Sequence, residues 1–151
     1  MISPRDAIYN ALLALLAANA PFATTSRKFR MWSSVPPEEQ PALFLRAGPQ
    51  RSSEDRTFGL PKWTLKCWAF IYVLHDAGSQ VPGTTLMQFL DIVDANMAPP
   101  QPGGLQTLGN LVTNAFISGD VIVDEGALPM DNQSLAVVPI DIIVGADCAK
   151  Y

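Results

Sequence analysis

The chain has 151 residues, of which 48% are hydrophobic and 16% are charged, and its formal net charge is −4. This length allows one domain with a substantial core, so we expect a single domain over residues 1–151. The acidic balance argues against sequence-independent binding of nucleic acid, which depends on clustered lysine and arginine. The apolar balance predicts that part of the surface meets a protein partner.

The first quarter of the chain predicts one helix and two short strands. Ser3 and Pro4 are typical of a helix start, and the apolar spacing that follows predicts a helix over Pro4–Asn19. Short strands are predicted at Arg27–Trp32 and Ala42–Ala47, and the connection between them contains three prolines that forbid a central ladder. The apolar face of the helix consists of Ile8, Leu12, Leu15 and Leu16.

Signals for targeting and for redox state are weak. The segment Ala18-Asn19-Ala20 resembles a signal-peptidase site, but Asp6 cancels Arg5 where a secretion signal would be basic, so a cytosolic amphipathic helix is favoured. Polar residues and a proline interrupt this run, so we expect no membrane span. Cys67 and Cys148 form no CxxC motif and are interpreted as free thiols in a reducing compartment.

The middle of the chain predicts a loop and a strongly patterned strand. Gly48–Pro61 has the charged, glycine-containing composition of a long mobile loop. Lys62–Val73 alternates as a strand with one apolar face, while its other face carries Trp68, Phe70 and Tyr72. Aromatic side chains on both faces predict a second cover, either another element of the chain or a neighbouring subunit.

The last third predicts a second helix and a ribbon. Thr85 opens a capping-box pattern, and helical apolar spacing continues to Met97. Asn110–Val123 and Ser134–Val144 are predicted as two long strands joined by an acidic connection over residues 124–133. The expected fold is therefore α+β, a mainly antiparallel β-sheet packed with two main helices and a long β-ribbon near the C-terminus.

Residues suited to catalysis or metal binding are few. His75 is the single histidine, beside Asp76 in an expected loop, and no nucleophile is predicted to converge on it. One histidine and two separated cysteines do not make a usual zinc site. Gly103-Gly104 lacks the lysine of a phosphate loop, and the acidic group does not match a calcium-loop spacing. The acidic group consists of Asp120, Asp124, Glu125 and Asp131. We therefore predict that the protein is not an enzyme and has no catalytic residue, no cofactor and no metal site.

Several short motifs together resemble the bacteriophage tail terminator family, also called tail-to-head joining proteins. In the first half of the chain they are Phe29-Arg30-Met31-Trp32 and Gln40-Pro41-Ala42-Leu43-Phe44-Leu45. In the second half they are Lys62-Trp63-Thr64-Leu65, Gln106-Thr107-Leu108-Gly109 and Val138-Pro139-Ile140-Asp141-Ile142. These packing and turn motifs extend over nearly the whole chain, and none of them is a catalytic signature.

The resemblance implies a ring-forming subunit, a homo-hexamer at the tail–neck junction of a virion, assembled in the host cytoplasm. Such a ring caps the tail tube, ends its polymerisation and meets a head-completion or neck protein, while DNA passes through without specific binding. The implied partners are further copies of the chain, the tail tube protein and the neck protein, with no membrane. The expected contact residues are Gln50, Arg51 and Arg56 in the loop, Trp68, Phe70 and Tyr72 on the aromatic strand, and Asp124, Glu125, Met130 and Asp131 at the ribbon tip.

Two alternatives stay open at this point. A head-closure or tail-completion subunit of the same neck shares the composition and differs in what its ring binds. A small cytosolic enzyme or ligand-binding domain would need a buried pocket that holds His75 and a cysteine.

Overall fold

A computed structural model describes residues 4–53, 62–74, 84–125 and 133–145, and these form an α+β fold with two helices and one mixed six-stranded sheet. The elements are α1 (Pro4–Leu16), β1 (Thr24–Ser26), β2 (Ala42–Ser53), β3 (Lys62–Leu74), α2 (Thr84–Met97), β4 (Asn114–Ile117), β5 (Ile122–Glu125) and β6 (Gln133–Val144). The strand order is β1-β2-β3-β6-β4, and β5 also pairs with β6. Only β1 and β2 run parallel among these described pairs, so the predicted α+β class and mainly antiparallel sheet are confirmed.

Both predicted helices are present, with small shifts at their ends. α1 ends at Leu16 rather than Asn19, because Asn19 adopts a left-handed backbone with φ 56°. The Asn96 side chain of α2 donates hydrogen bonds to the carbonyl oxygens of Leu16 and Ala18, which caps the end of α1. α2 starts at Thr84, so Thr85 lies inside its first turn and is not the capping residue. No helix in the described residues has the length and apolarity to cross a membrane.

The main core lies between the two helices and one face of the sheet. The spacing of apolar residues places Leu12 and Leu16 of α1 and Leu86 and Val93 of α2 on the sheet side, where each is at most 1% exposed. Burying a side chain of this size contributes about 1.5–3 kcal/mol to stability. The sheet supplies alternate residues to this core, among them Leu65, Cys67, Ala69, Ile71, Ile140 and Ile142.

A second, smaller core covers part of the opposite face. The predicted strand at Arg27–Trp32 is wrong, because the strand in this region is β1 and the chain then crosses the sheet through short 3-10 turns at Trp32–Ser34 and Pro37–Glu39. The apolar side chains of this crossing segment pack on the sheet. Its backbone pairs with none of the described strands. The second core comprises Val35, Ala42, Phe44 and Tyr72, with Phe29, Trp32, Phe70 and Leu135 packed against it.

The crossing segment therefore supplies the second cover that the aromatic strand required. The rings of Phe29 and Phe70 lie 4.6 Å apart between centroids. The Tyr72 hydroxyl donates a 2.8 Å hydrogen bond to the carbonyl oxygen of Arg30. Because Tyr72 is 2% exposed beneath this cover, it is not available as a contact residue for a partner.

Strand β2 extends into the segment predicted as a mobile loop. Gly48 to Ser53 continue β2 beside β3, with a register shift between Ala47 and Gln50, so this half of the loop prediction is wrong. Residues 54–61, including Arg56, lie outside the described residues. The polar composition here reflects an exposed strand, in which Gln50 accepts a 2.8 Å hydrogen bond from Nε of Arg5.

The ring of Trp68 lies so close to the backbone at position 48 that only glycine fits there without a shift. A Cβ at Gly48 would lie 2.7 Å from a ring carbon of Trp68, so we expect Gly48→Ala to lower the free energy of unfolding by about 1–3 kcal/mol. Urea unfolding measures this loss, with Ser52→Ala on the same strand as a control that stays within about 0.5 kcal/mol. In Trp68→Phe, which lacks the obstructing ring atoms, adding Gly48→Ala should cost less. Equal costs in both backgrounds would show that the ring contact is not the cause.

The predicted strand Asn110–Val123 is interrupted and forms β4 and β5 instead, both paired with β6. Residues 118–121 lie opposite residues 138–139, so four residues face two and the ladder bulges. Gly119 has φ 90°, and Pro139 accepts a hydrogen bond from the Ser118 amide but has no N–H to return. The glycine and the proline across from it therefore break the strand at one level.

Candidate interaction surface

An apolar strand edge lies on the surface beside this bulge. We define the β4–β5 edge as Phe116 with residues 120–125. Ile122 is 60% exposed, and Phe116, Val121 and Val123 are 37–38% exposed. Within the described part of the chain, β5 pairs only with β6, so its outer backbone groups face no strand. Exposed apolar side chains on a strand with one open edge are typical of a site where another strand adds.

The same edge is acidic. Asp120 and Glu125 are exposed and Asp124 is half-buried, and none of the three forms an ion pair among the described residues. No group of three metal-ligating side chains occurs in those residues either. The predicted contacts Met130 and Asp131 lie outside them. The edge therefore carries three carboxylates around an apolar strip, which favours a basic partner surface.

The opposite side of the sheet ends in a second open strand. We define the β1 edge as residues 24–28. Within the residues described, β1 pairs only with β2, and Thr25 and Lys28 are exposed. Arg27 is held by α1, with Nη1 3.1 Å from the Asp6 carboxylate and the guanidinium 5.1 Å from the ring centroid of Tyr9. The cationic groups of this edge are thus Arg27, which is shared with Asp6, and Lys28, which forms no ion pair in the described residues.

An open cleft of about 360 Å³ separates the end of α2 from β4. Apolar groups of Met97, Pro99 and Ile117 line it, and the polar side chains are those of Asp94 and Asn114. The Asn114 side-chain oxygen is already used, because it accepts a 3.1 Å hydrogen bond from the Gln106 amide. One exposed carboxylate without a nucleophile gives the described lining of this cleft no catalytic constellation.

Cys67 is not placed for chemistry. Its side chain is fully buried in the main core, where Sγ lies 3.7 Å from the carbonyl oxygen of Ile140. Burial, with a smaller contribution from the negative charge of Asp141, raises the pKa of this thiol to about 12. At neutral pH the thiolate is therefore negligible, and Cys67 does not act as a nucleophile. His75, Asp76 and Cys148 lie outside the described residues.

The structure separates the predicted contact residues into three places. Gln50 and Arg51 are exposed on β2, Trp68 and Phe70 are half-buried on the face opposite the helices, and the acidic pair Asp124 and Glu125 lies on β5. β3 and β6 lie between β2 and β5. Sequence reasoning missed the apolar strip that surrounds the acidic pair, namely Phe116, Val121, Ile122 and Val123. The available signal was Gly119, which interrupts the apolar run.

Together, these features describe a small α+β fold in which two strand edges are open among the described residues, and one of these edges is apolar and acidic. No protein-family model matches the chain, and a comparison with curated proteins finds no match either.

Proposed function

We propose that the protein is a structural virion subunit that forms a homo-oligomeric ring, caps a phage tail tube, ends tube polymerisation and joins the tail to the head. The β4–β5 edge carries this proposal, because four apolar side chains are exposed on and beside a strand whose outer edge pairs with no strand in the described residues. A subunit of an assembly can use such an edge to bind its neighbour.

Burial of this edge would contribute free energy to assembly. A side chain of this size contributes about 1.5–3 kcal/mol when it passes from full exposure to burial. Ile122 still exposes 60% of its surface and its three neighbours more than a third, so each retains a substantial part of that contribution for binding. Together with the hydrogen bonds of an added strand, this offsets part of the entropy that association costs.

The charge agrees with a ring through which DNA passes. A formal charge of −4 per copy gives 6 × (−4) = −24 for six copies. An acidic wall repels the phosphate backbone, so the duplex slides without being retained. The partners in this proposal are the tail tube protein on one face of the ring and a head-completion or neck protein on the other.

The motifs behind the resemblance serve packing and turns in this fold. Gln106 is buried and donates a 3.0 Å hydrogen bond from Nε2 to the Ala98 carbonyl, while Leu108 and Gly109 adopt positive φ in the next turn. Pro139 lies at the bulge beside the β4–β5 edge. These motifs therefore support the proposal through the shape of the subunit and not through a chemical site.

Light scattering and tube assembly test the proposal. We expect a closed oligomer of 6 × 16.3 kDa, about 98 kDa, either free or formed on the tube end. Mixed with polymerising tail tube subunits, the protein should stop elongation and appear as a ring at one tube end in negative-stain images. A ring that binds the neck of filled heads but not the tube would instead support the head-closure or tail-completion role. A monomer at every concentration that leaves tube length unchanged would refute the proposal.

A further inference from the structure

The two open strand edges lie at the same level of the sheet. Thr25 pairs with Leu43, Leu43 with Ile71, Ile71 with Ala136, and Ala136 with Val123. The two neighbouring rows also cross the sheet from β1 to β5. One row begins at Thr24 and ends at Asp124, and the other begins at Ser26 and ends at Ile122. β1 and β5 are therefore the two ends of the same three rows of residues.

From this alignment we infer that the β5 edge of one copy pairs with the β1 edge of the next copy, so that the sheets of neighbouring subunits join into one. The inference rests on the proposed function, because it names the neighbour that occupies the β4–β5 edge in the ring. β1 is parallel to β2, and β5 is antiparallel to β6, which runs in the same direction as β2. A β1 strand added beside β5 with its own subunit in the same orientation is thus antiparallel to it.

Continuing the rows across the junction fixes the partners. Val123 of one copy lies opposite Thr25 of the next, and Ile122 lies opposite Ser26. β1 ends at Ser26 and the chain bends at Arg27 and Lys28, so the ladder is limited to three pairs, and Lys28 and Asp120 lie just beyond it at the same end. One of the three carboxylates of the β4–β5 edge, Asp120, therefore lies near the basic Lys28, while Asp124 and Glu125 lie at the other end of the junction. The β-branched Val123 meets the β-branched Thr25.

Charge opposes pairing of two identical edges. Two β4–β5 edges would bring six carboxylates together, three from each copy, with no basic side chain on either strand. Two β1 edges would oppose Arg27 and Lys28 to their own copies, although Asp6 offsets part of the charge of Arg27. The favoured contact therefore joins unlike edges, and such a contact generates a ring when its rotation closes.

Disulfide trapping tests this register. In a Cys148→Ser background, the double variant Thr25→Cys/Val123→Cys should form a ladder of cross-linked species up to the ring on mild oxidation, read on a non-reducing gel. Cys67 is fully buried and stays unreactive in the folded protein. Each single variant should remain uncross-linked, because unlike edges bring no two copies of the same position together. A dimer from Val123→Cys alone would overturn the inference in favour of β5–β5 pairing. If the double variant folds poorly by circular dichroism, Ser26→Cys/Ile122→Cys samples the next row.

Charge exchange gives a second measurement. Asp120→Lys should weaken self-association about three- to tenfold, since it places two cations at the same end of the junction, and adding Lys28→Asp should restore it. If a ring of the expected mass forms but shows neither the disulfide cross-links nor the restored association of the double charge variant, the inferred contact is wrong and the proposed function stands. If the cross-links form but the protein does not cap tubes, the contact stands and the proposed function is wrong.

Discussion

Replacing Ile122 by lysine should weaken self-association at least about 100-fold and leave the subunit folded. Ile122 is 60% exposed in the isolated subunit, so its replacement should change the free energy of unfolding by no more than about 0.5 kcal/mol. In the assembly the new ammonium would be buried opposite Ser26 of the neighbouring copy, with the cationic Lys28 two residues further along. The lost apolar burial and the desolvated, like-charged cation together cost several kcal/mol, and about 2.7 kcal/mol already corresponds to 100-fold.

Sedimentation equilibrium measures this loss, and thermal unfolding shows that the variant remains folded. Met87→Lys is the matched control, because Met87 is an exposed apolar residue at 39% that lies on α2 and not on either strand edge. It should associate as the wild type does. If Ile122→Lys assembles with unchanged affinity, the β4–β5 edge is not the subunit contact. If self-association is weakened equally in both variants, the added positive charge and not the position of the substitution causes the loss.

The elements that could be predicted from sequence are those whose burial follows a local period. The apolar spacing of α1 and α2 and the alternation of β3 identify the faces that the structure buries. β6 begins at Gln133, one residue before its predicted start. In each case the side chains repeat with the period of the element, so no distant residue is needed to interpret them.

The errors arise where a distant residue decides the local structure. Residues 110–123 are apolar enough for one strand, but the register against β6 places Pro139 opposite the Gly119 turn and breaks it. The segment after β1 has aromatic residues at strand spacing, yet it packs across Phe70 and Tyr72 instead of joining the sheet. Gly48 was assigned to a loop because the approach of Trp68 is not visible in sequence.

The candidate surface was predictable in part for the same reason. Asp124 and Glu125 stand out by charge, and both lie on β5 as acidic residues of an open strand. The pairing of this strand with β1 depends on the order of strands in the sheet and on three shared rows of residues, which no local pattern contains. Tyr72 was expected at a contact because it is aromatic, but the chain covers it with its own segment.

The folded chain should lose stability steeply at alkaline pH. Burial raises the pKa of Tyr72 from 10.0 to about 12, and burial with the nearby charge of Asp141 raises that of Cys67 from 9.0 to about 12. Burial also raises the pKa of Tyr9. A raised folded-state pKa means that the unfolded chain releases its proton first. The stabilisation is therefore complete below pH 9 and is lost between pH 9 and 12.

A pH of 11 is two units above the unfolded-state pKa of Cys67 and one unit above that of Tyr72. At this pH the two residues together lower the free energy of unfolding by about 4 kcal/mol. Urea unfolding at pH 7.5, 9, 10 and 11 follows this decline. Cys67→Ala should be less stable at pH 7.5, because it leaves a small cavity, but should lose only about 1.4 kcal/mol by pH 11 from Tyr72. Tyr72→Phe removes the hydroxyl that bonds the Arg30 carbonyl. Between pH 7.5 and 11 this variant should lose about 1.4 kcal/mol less stability than the wild type. Equal slopes in the wild type and in both variants would show that neither buried group controls the alkaline transition.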